Sequence, residues 1–127
     1  MQLGTFSLSL AVKDITASLA FYQALGFRQI GGDMDQNWVI LESGGTVIGL
    51  FQGMFEKNMM TFNPGWSAPG VSAEEFDDIR KIQAMLQEVG ITPTRPAAPG
   101  ADGPDHLLIT DPDGNTIMLD QHVPKPT

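Results

Sequence analysis

Residues 6–27 read FSLSLAVKDITASLAFYQALGF, and two different periodicities meet inside them. From Phe6 to Val12 polar and apolar side chains alternate, with Ser7 and Ser9 on one side and Leu8, Leu10 and Val12 on the other. That is the pattern of a strand with one buried face. After Lys13 the period lengthens: Ile15, Leu19, Tyr22 and Leu25 recur at helical spacing, and Asp14 stands where a carboxylate accepts from the free N–H groups of a helix start. Gly26 closes the helix, because the left-handed conformation of a helix C-terminus carries no steric penalty for glycine.

Working outward, strand candidates follow at 27–30, 37–41 and 46–52, separated by turns at Gly31-Gly32 and Gly44-Gly45. The order is βαβββ, and it then begins again. After a connector at 54–58 come an apolar strand at 59–62 and a turn-rich stretch at 63–70. Ser72 and Glu75 suggest a capping box for a second helix, whose Ile79, Ile82, Leu86 and Val89 share one face before Gly90. Pro93, Pro96, Pro99 and Pro104 leave room only for a short edge strand and a loop, and strands at 107–109 and 116–121 flank Asp111-Pro112-Asp113-Gly114. Individual residues repeat as well: 20–27 aligns with 84–91, and 45–52 with 114–121, so that Gly26 matches Gly90 and Gln52 matches Gln121. The expected fold class is α+β, a single domain over 1–127 built from two βαβββ modules, 1–56 and 57–127.

Composition narrows the function classes. The chain has 127 residues, enough to bury a real core, and a net charge of −8 with its seven basic residues scattered. Nucleic acid and anionic membranes are repelled by such a surface, so neither is an expected partner. Cysteine is absent, which removes disulfides, thiolate metal sites and cysteine nucleophiles. The N-terminus lacks the basic start and apolar run of a signal peptide, and no stretch reaches the length of a membrane span. A soluble, cytoplasmic protein is expected. The glycines make no Gly-x-Gly-x-x-Gly run between a strand and a helix, and no serine lies in a Gly-x-Ser-x-Gly elbow.

The segment Leu8 to Phe27, with Val12-Lys13-Asp14 at the helix start and Phe21-Tyr22-Gln23-Ala24-Leu25-Gly26-Phe27 at its end, resembles the first module of the vicinal oxygen chelate superfamily, the group of glyoxalases, bleomycin-resistance proteins and extradiol dioxygenases. The tail Asp111-Pro112-Asp113-Gly114-Asn115 with Ile117-Met118-Leu119 resembles their last hairpin. The resemblance implies paired βαβββ modules, a cleft lined by curved mixed sheets, and a homodimer. In metal-using members it also implies a divalent ion held by His, Gln or Glu at four strand positions. The matching positions here are Ser7, Gly49 and Met118, and the fifth-strand neighbourhood of Thr61, Phe62 and Asn63 offers no imidazole or carboxylate. A hydroxyl, a glycine and a thioether do not make a tight site for a first-row ion, so no metal and no cofactor are expected.

Strand parity assigns the cleft. With Leu8, Leu10, Ile48, Leu50, Ile117 and Leu119 facing the helices, Ser7, Ser9, Val47, Gly49, Phe51, Thr116, Met118 and Asp120 face the other way, and Trp38, Phe51, Phe62 and Trp66 offer stacking surfaces for a planar or cationic ligand. His106 shares the parity of Leu108 and Thr110 and is the candidate for acid–base work; His122, beside the proline-rich tail, reads as unremarkable. The functional expectation is a metal-independent protein that sequesters or senses a small organic ligand in its cleft. The alternatives are a glyoxalase-type lyase or isomerase, a metal-free enzyme using His106, and a structural dimer with a collapsed cleft.

Overall fold

The computed structural model describes all residues, 1–127, and contains two compact units, Ser7–Met59 and Met1–Phe6 with Met60–Thr127. In the first, strand β1 (Thr5–Val12) leads into helix α1 (Ile15–Ala24), then β2 (Arg28–Asp33), β3 (Trp38–Ser43) and β4 (Thr46–Gln52). The strands lie in the order β2-β3-β4-β1, antiparallel except for the parallel pair β1 and β4. A helical crossover is what permits that parallel pair. Asp14 caps α1, its Oδ1 accepting from the N–H of Ala17, and Gly26 follows the helix at φ +100°. Beneath α1 the core is Ile15, Val39, Leu41, Ile48 and Leu50, joined by Leu10, Val12, Leu19, Tyr22 and Phe27.

Two local expectations change here. Gly31-Gly32 is no turn: β2 runs through both glycines with a bulge after Gln29, and at Gly32 (φ +91°) a Cβ would lie 2.5 Å from the Cα of Val39. The reversal comes later, through a 3-10 turn at Met34–Gln36 and a left-handed Asn37. Leu25 caps α1 and is 61% exposed, so it does not extend the buried stripe.

The second unit contains β5 (Met59–Asn63), a small hairpin of β6 (Trp66–Ala68) and β7 (Val71–Ser72), helix α2 (Ile79–Glu88), β8 (Asp105–Thr110) and β9 (Thr116–Gln121). Its strand order is β5-β9-β8, and the proline-rich stretch contributes a single bridge, Arg95 to Leu108, instead of a strand. The sheet is not closed. Ile79, Ile82, Leu86, Ala97, Leu107 and Leu119 form the core under α2. The cap of α2 is Asp78, whose carboxylate accepts from the N–H of Arg80; Ser72 instead pairs with Trp66 in the hairpin, so there is no Ser72/Glu75 capping box. Val89, like Leu25 its repeat equivalent, lies past the helix end and is 72% exposed.

The duplication extends to one hydrogen bond. Gln52, at the end of β4, accepts from the N–H of Ile15 at 2.8 Å, and Gln121, at the end of β9, accepts from the N–H of Ile79 at 2.8 Å. Each first helical residue has a backbone donor without a partner inside its helix, and in both units the amide of the last inner strand supplies the acceptor. No helix is long and apolar enough to cross a membrane.

Candidate functional site

Because side chains alternate along a strand, burying one face of each sheet under its helix commits the other residues to the opposite face. In the first unit that face carries Ser7 and Ser9 from β1, Trp38 and Ile40 from β3, and Val47, Gly49 and Phe51 from β4, as parity predicts, with Ser9, Val47 and Gly49 themselves buried. Trp38 and Phe51 are partners in the β3–β4 register and stack at 6.3 Å with their planes 7° apart; Phe55 packs on Phe51 at 5.3 Å. Gly49 makes this possible: a Cβ there would lie 2.5 Å from Cε2 of Phe51 and 3.3 Å from Cδ1 of Ile40. The phenyl ring therefore lies over the backbone where a longer residue 49 would project. Ser9, buried, is the register partner of Gly49, while Ser7 lies two residues away on the same face.

In the second unit the face opposite α2 carries Thr61 and Asn63 from β5, His106, Leu108 and Thr110 from β8, and Thr116, Met118 and Asp120 from β9. His106 is paired with Asp120, and Leu108 with Met118, so the two polar candidates are direct cross-strand neighbours. Phe62 departs from expectation. Its ring packs against the core under α2 and against Phe6 at 5.1 Å, because the alternation of β5 turns Met60 and Phe62 to the helix side.

The residue that sequence reasoning passed over is His122. Its Nε2 lies 3.1 Å from Oδ2 of Asp120, and its ring stacks on Trp66 at 4.5 Å and 13°. The hydrogen bond to Asp120 raises the imidazole above its ordinary value of 6.5, outweighing the partial burial that lowers it. The usable signal was the spacing: His122 follows Asp120 by two residues, so the face of β9 continues past the last ladder pair. Between them Gln121 turns inward and, at 1% exposure, donates to the carboxylate of Asp78 and the carbonyl of Val123. For Asp78 itself burial raises the carboxyl, but hydrogen bonds from Arg80 and Gln121 prevail and hold it below the usual carboxylate range.

The residues do not fit the divalent ion of the metal-using relatives. Ser7 and Gly49 in the first unit, and Thr61, Asn63 and Met118 in the second, supply neither imidazole nor carboxylate, and no cluster of three His, Cys, Asp or Glu side chains is placed to hold an ion.

Solved structures with this fold include a glyoxalase/bleomycin resistance protein/dioxygenase superfamily member from Vibrio splendidus 12B01, 17% identical, aligned over 91% of this chain and 97% of that one with a TM-score of 0.64. The Mn(II)-bound glyoxalase from Novosphingobium aromaticivorans is 17% identical over 95% of this chain and 39% of its own, with a TM-score of 0.56. An extradiol ring-cleaving dioxygenase from B. fuscum is 24% identical over 97% of this chain and 32% of its own, with a TM-score of 0.55. No functionally curated protein matches the chain. The family model of the Glyoxalase/Bleomycin resistance protein/Dioxygenase superfamily matches residues 4–119, nearly the whole length. With that match and two helices on a mixed sheet, the chain belongs to the glyoxalase/bleomycin resistance protein/dioxygenase superfamily.

Proposed function

We propose that this protein binds a small organic molecule on a sheet face turned away from its helix and does so without a metal ion. The observation that carries the reading is the Phe51 ring, lying over Gly49 and stacked on Trp38, at a strand position where the family resemblance implies a metal ligand. The stacked aromatic surface of Trp38 and Phe51 suits a ligand with one flat apolar face. The second unit has a separate face of its own, where the polarisable thioether of Met118 lies with the polar pair His106 and Asp120.

A homodimer is part of this proposal. The outer side of α1 exposes Phe21 and Leu25 among Ala17, Ala20 and Ala24, with no charged side chain among them, whereas α2 carries Lys81 and Glu88 at the positions of Ala17 and Ala24. An apolar helix surface of that kind gains by burial against a second copy. Sedimentation at micromolar concentration is expected to give a dimer, and a monomer alone refutes that part.

The binding reading is tested by native mass spectrometry of protein purified under mild conditions, with metal analysis of the same sample after dialysis. A co-purifying small molecule and substoichiometric metal are expected. One tightly held transition-metal ion per chain would falsify metal independence, and a chain that retains no molecule and takes up none from a metabolite mixture refutes the binding role.

A further inference from the structure

His122, Asp120 and Trp66 together form a structure that a tail residue does not need. The backbone of Asp120 is held by the amide of Asn63, which donates to its carbonyl at 2.9 Å. Gln121 is locked inward by three hydrogen bonds, to the N–H of Ile79, the carboxylate of Asp78 and the carbonyl of Val123. Val123 in turn lies so close to Gly65 that a Cβ there would be 2.3 Å from its Cγ2, which brings the Trp66 hairpin directly onto the chain beside His122. The imidazole is thus fixed from before, from behind and across one ring face.

The proton positions follow from chemistry. An ionised carboxylate only accepts, so the Nε2 facing Asp120 is the protonated nitrogen, and in the neutral ring Nδ1 is left with a bare lone pair. Trp66 covers one face and Asp120 engages the Nε2 edge, yet the side chain remains 47% exposed. Nδ1 makes no hydrogen bond, and the exposed part of the ring can be reached by a ligand. A flat surface next to a bare, carboxylate-supported lone pair recognises a planar molecule that presents a hydrogen.

We infer that His122 is the proton acceptor of a binding site for planar, weakly acidic molecules on the second unit, with Asp120 holding its tautomer and Trp66 its orientation. The inference rests on the small-molecule reading above and names the ligand class for one of its faces. In the bound complex the ligand's O–H bond breaks, its electron pair stays on oxygen as the conjugate base, and the proton bonds to Nδ1. The imidazolium so formed is stabilised by the Asp120 carboxylate on one edge and by the indole face of Trp66. No oxidant, metal or further reactant is needed.

The probe is 4-nitrophenol, whose conjugate base absorbs visible light while the neutral form does not. At a pH where ¹⁵N spectra show the free His122 ring to be neutral, saturating the full chain is expected to raise the phenolate fraction above that of the free probe in the same buffer, and the same spectra are expected to show His122 gaining a proton at Nδ1. His122→Gln is expected to abolish the rise and weaken binding by about tenfold or more, the loss of one charge-assisted hydrogen bond. Asp120→Asn, which keeps the imidazole, is expected to reduce the phenolate fraction at saturation. The site is overturned if the probe does not bind at millimolar concentration, if the rise persists in His122→Gln, or if it is lost only in His106→Gln. Retention of some other small molecule by native mass spectrometry, with no response to any of these variants, sinks this site and leaves the broader binding reading standing.

Discussion

Gln121→Leu removes a side chain of nearly the same volume while deleting every hydrogen bond it makes, and the structure allows the cost to be worked. The N–H of Ile79, wholly buried, loses its acceptor, a penalty of about 1–3 kcal/mol for an unsatisfied buried donor. The Asp78 carboxylate loses a donor at 2.9 Å, and a hydrogen bond to a charged group contributes roughly 1.5–3 kcal/mol. Val123 lies close enough to solvent for its carbonyl to turn to water. Burying an apolar side chain against Ile79 and Leu119 returns about 1–2 kcal/mol, part of what full burial of a leucine provides. The net expectation is a loss of about 2–4 kcal/mol, each of which lowers the melting temperature by roughly 3–5 °C in a chain of this size. The internal control is Gln52→Leu, whose side chain holds only the N–H of Ile15 at a part-buried site, and about 1–2 kcal/mol is expected there. Urea unfolding followed by circular dichroism measures both. A Gln121→Leu variant no less stable than Gln52→Leu would refute the reasoning, because the two amides differ in the carboxylate and burial that the estimate uses. In a Trp38→Phe background the same variant is expected to shift Trp66 emission, since freeing Gln121 loosens the neighbouring His122 stack.

Gly49→Ala is expected to cost about 1–3 kcal/mol and to shift Trp38 emission in a Trp66→Phe background, because the new methyl displaces the Phe51 ring it would otherwise overlap; a stabilised variant with unchanged emission means that the ring does not lie over residue 49. NMR titration is expected to find His122 above 6.5, and Asp120→Asn is expected to bring it down, because a neutral amide oxygen is a weaker acceptor and carries no charge to offset burial. Since the folded value is raised, the stability this pair contributes is fully present below 6.5 and fades as pH rises through the folded value, so a His122 titrating below 6.5 contradicts the geometry. Asp105 is held at about 2, first by the N–H of Ala98 and then by Arg95. Its contribution is therefore present above 3.8 and lost as pH falls from there through about 2, and Asp105→Asn is expected to flatten that limb of the acid-unfolding curve.

Much of the fold was legible because it rests on local periodicity. The alternation of 6–12, the helical spacing from Ile15 to Tyr22 and the closing Gly26 each depend on neighbours within a few residues, and each matches an element of the structure. The paired glutamines were visible only as aligned letters, Gln52 with Gln121; their common task at the helix starts required coordinates. Where expectation and structure part, a longer-range partner decided. Ser72 reads as a helix cap until Trp66 pairs with it, and Gly31-Gly32 reads as a turn until Val39 closes against the backbone. Phe62 reads as a stacking surface until β5 fixes which side faces α2.

Sequence alone, then, settled the two βαβββ repeats, the strand parity that put Ser7, Ser9, Trp38, Gly49 and Phe51 on one face and His106, Met118 and Asp120 on another, and the presence of Ser7, Gly49 and Met118 where the resemblance implies metal ligands. These follow from composition and from periods of two and of about 3.6 residues, which need no distant contact. Only the tertiary structure decided that Phe51 lies down over Gly49, that Asp78 rather than Ser72 starts α2, and that His122 is held by Asp120 and Trp66. Trp66 and His122 are far apart along the chain, and nothing in either neighbourhood encodes the other. Their stacking comes from the close approach of Gly65 to Val123 and the inward grip of Gln121, contacts that exist only once the chain has folded back on itself.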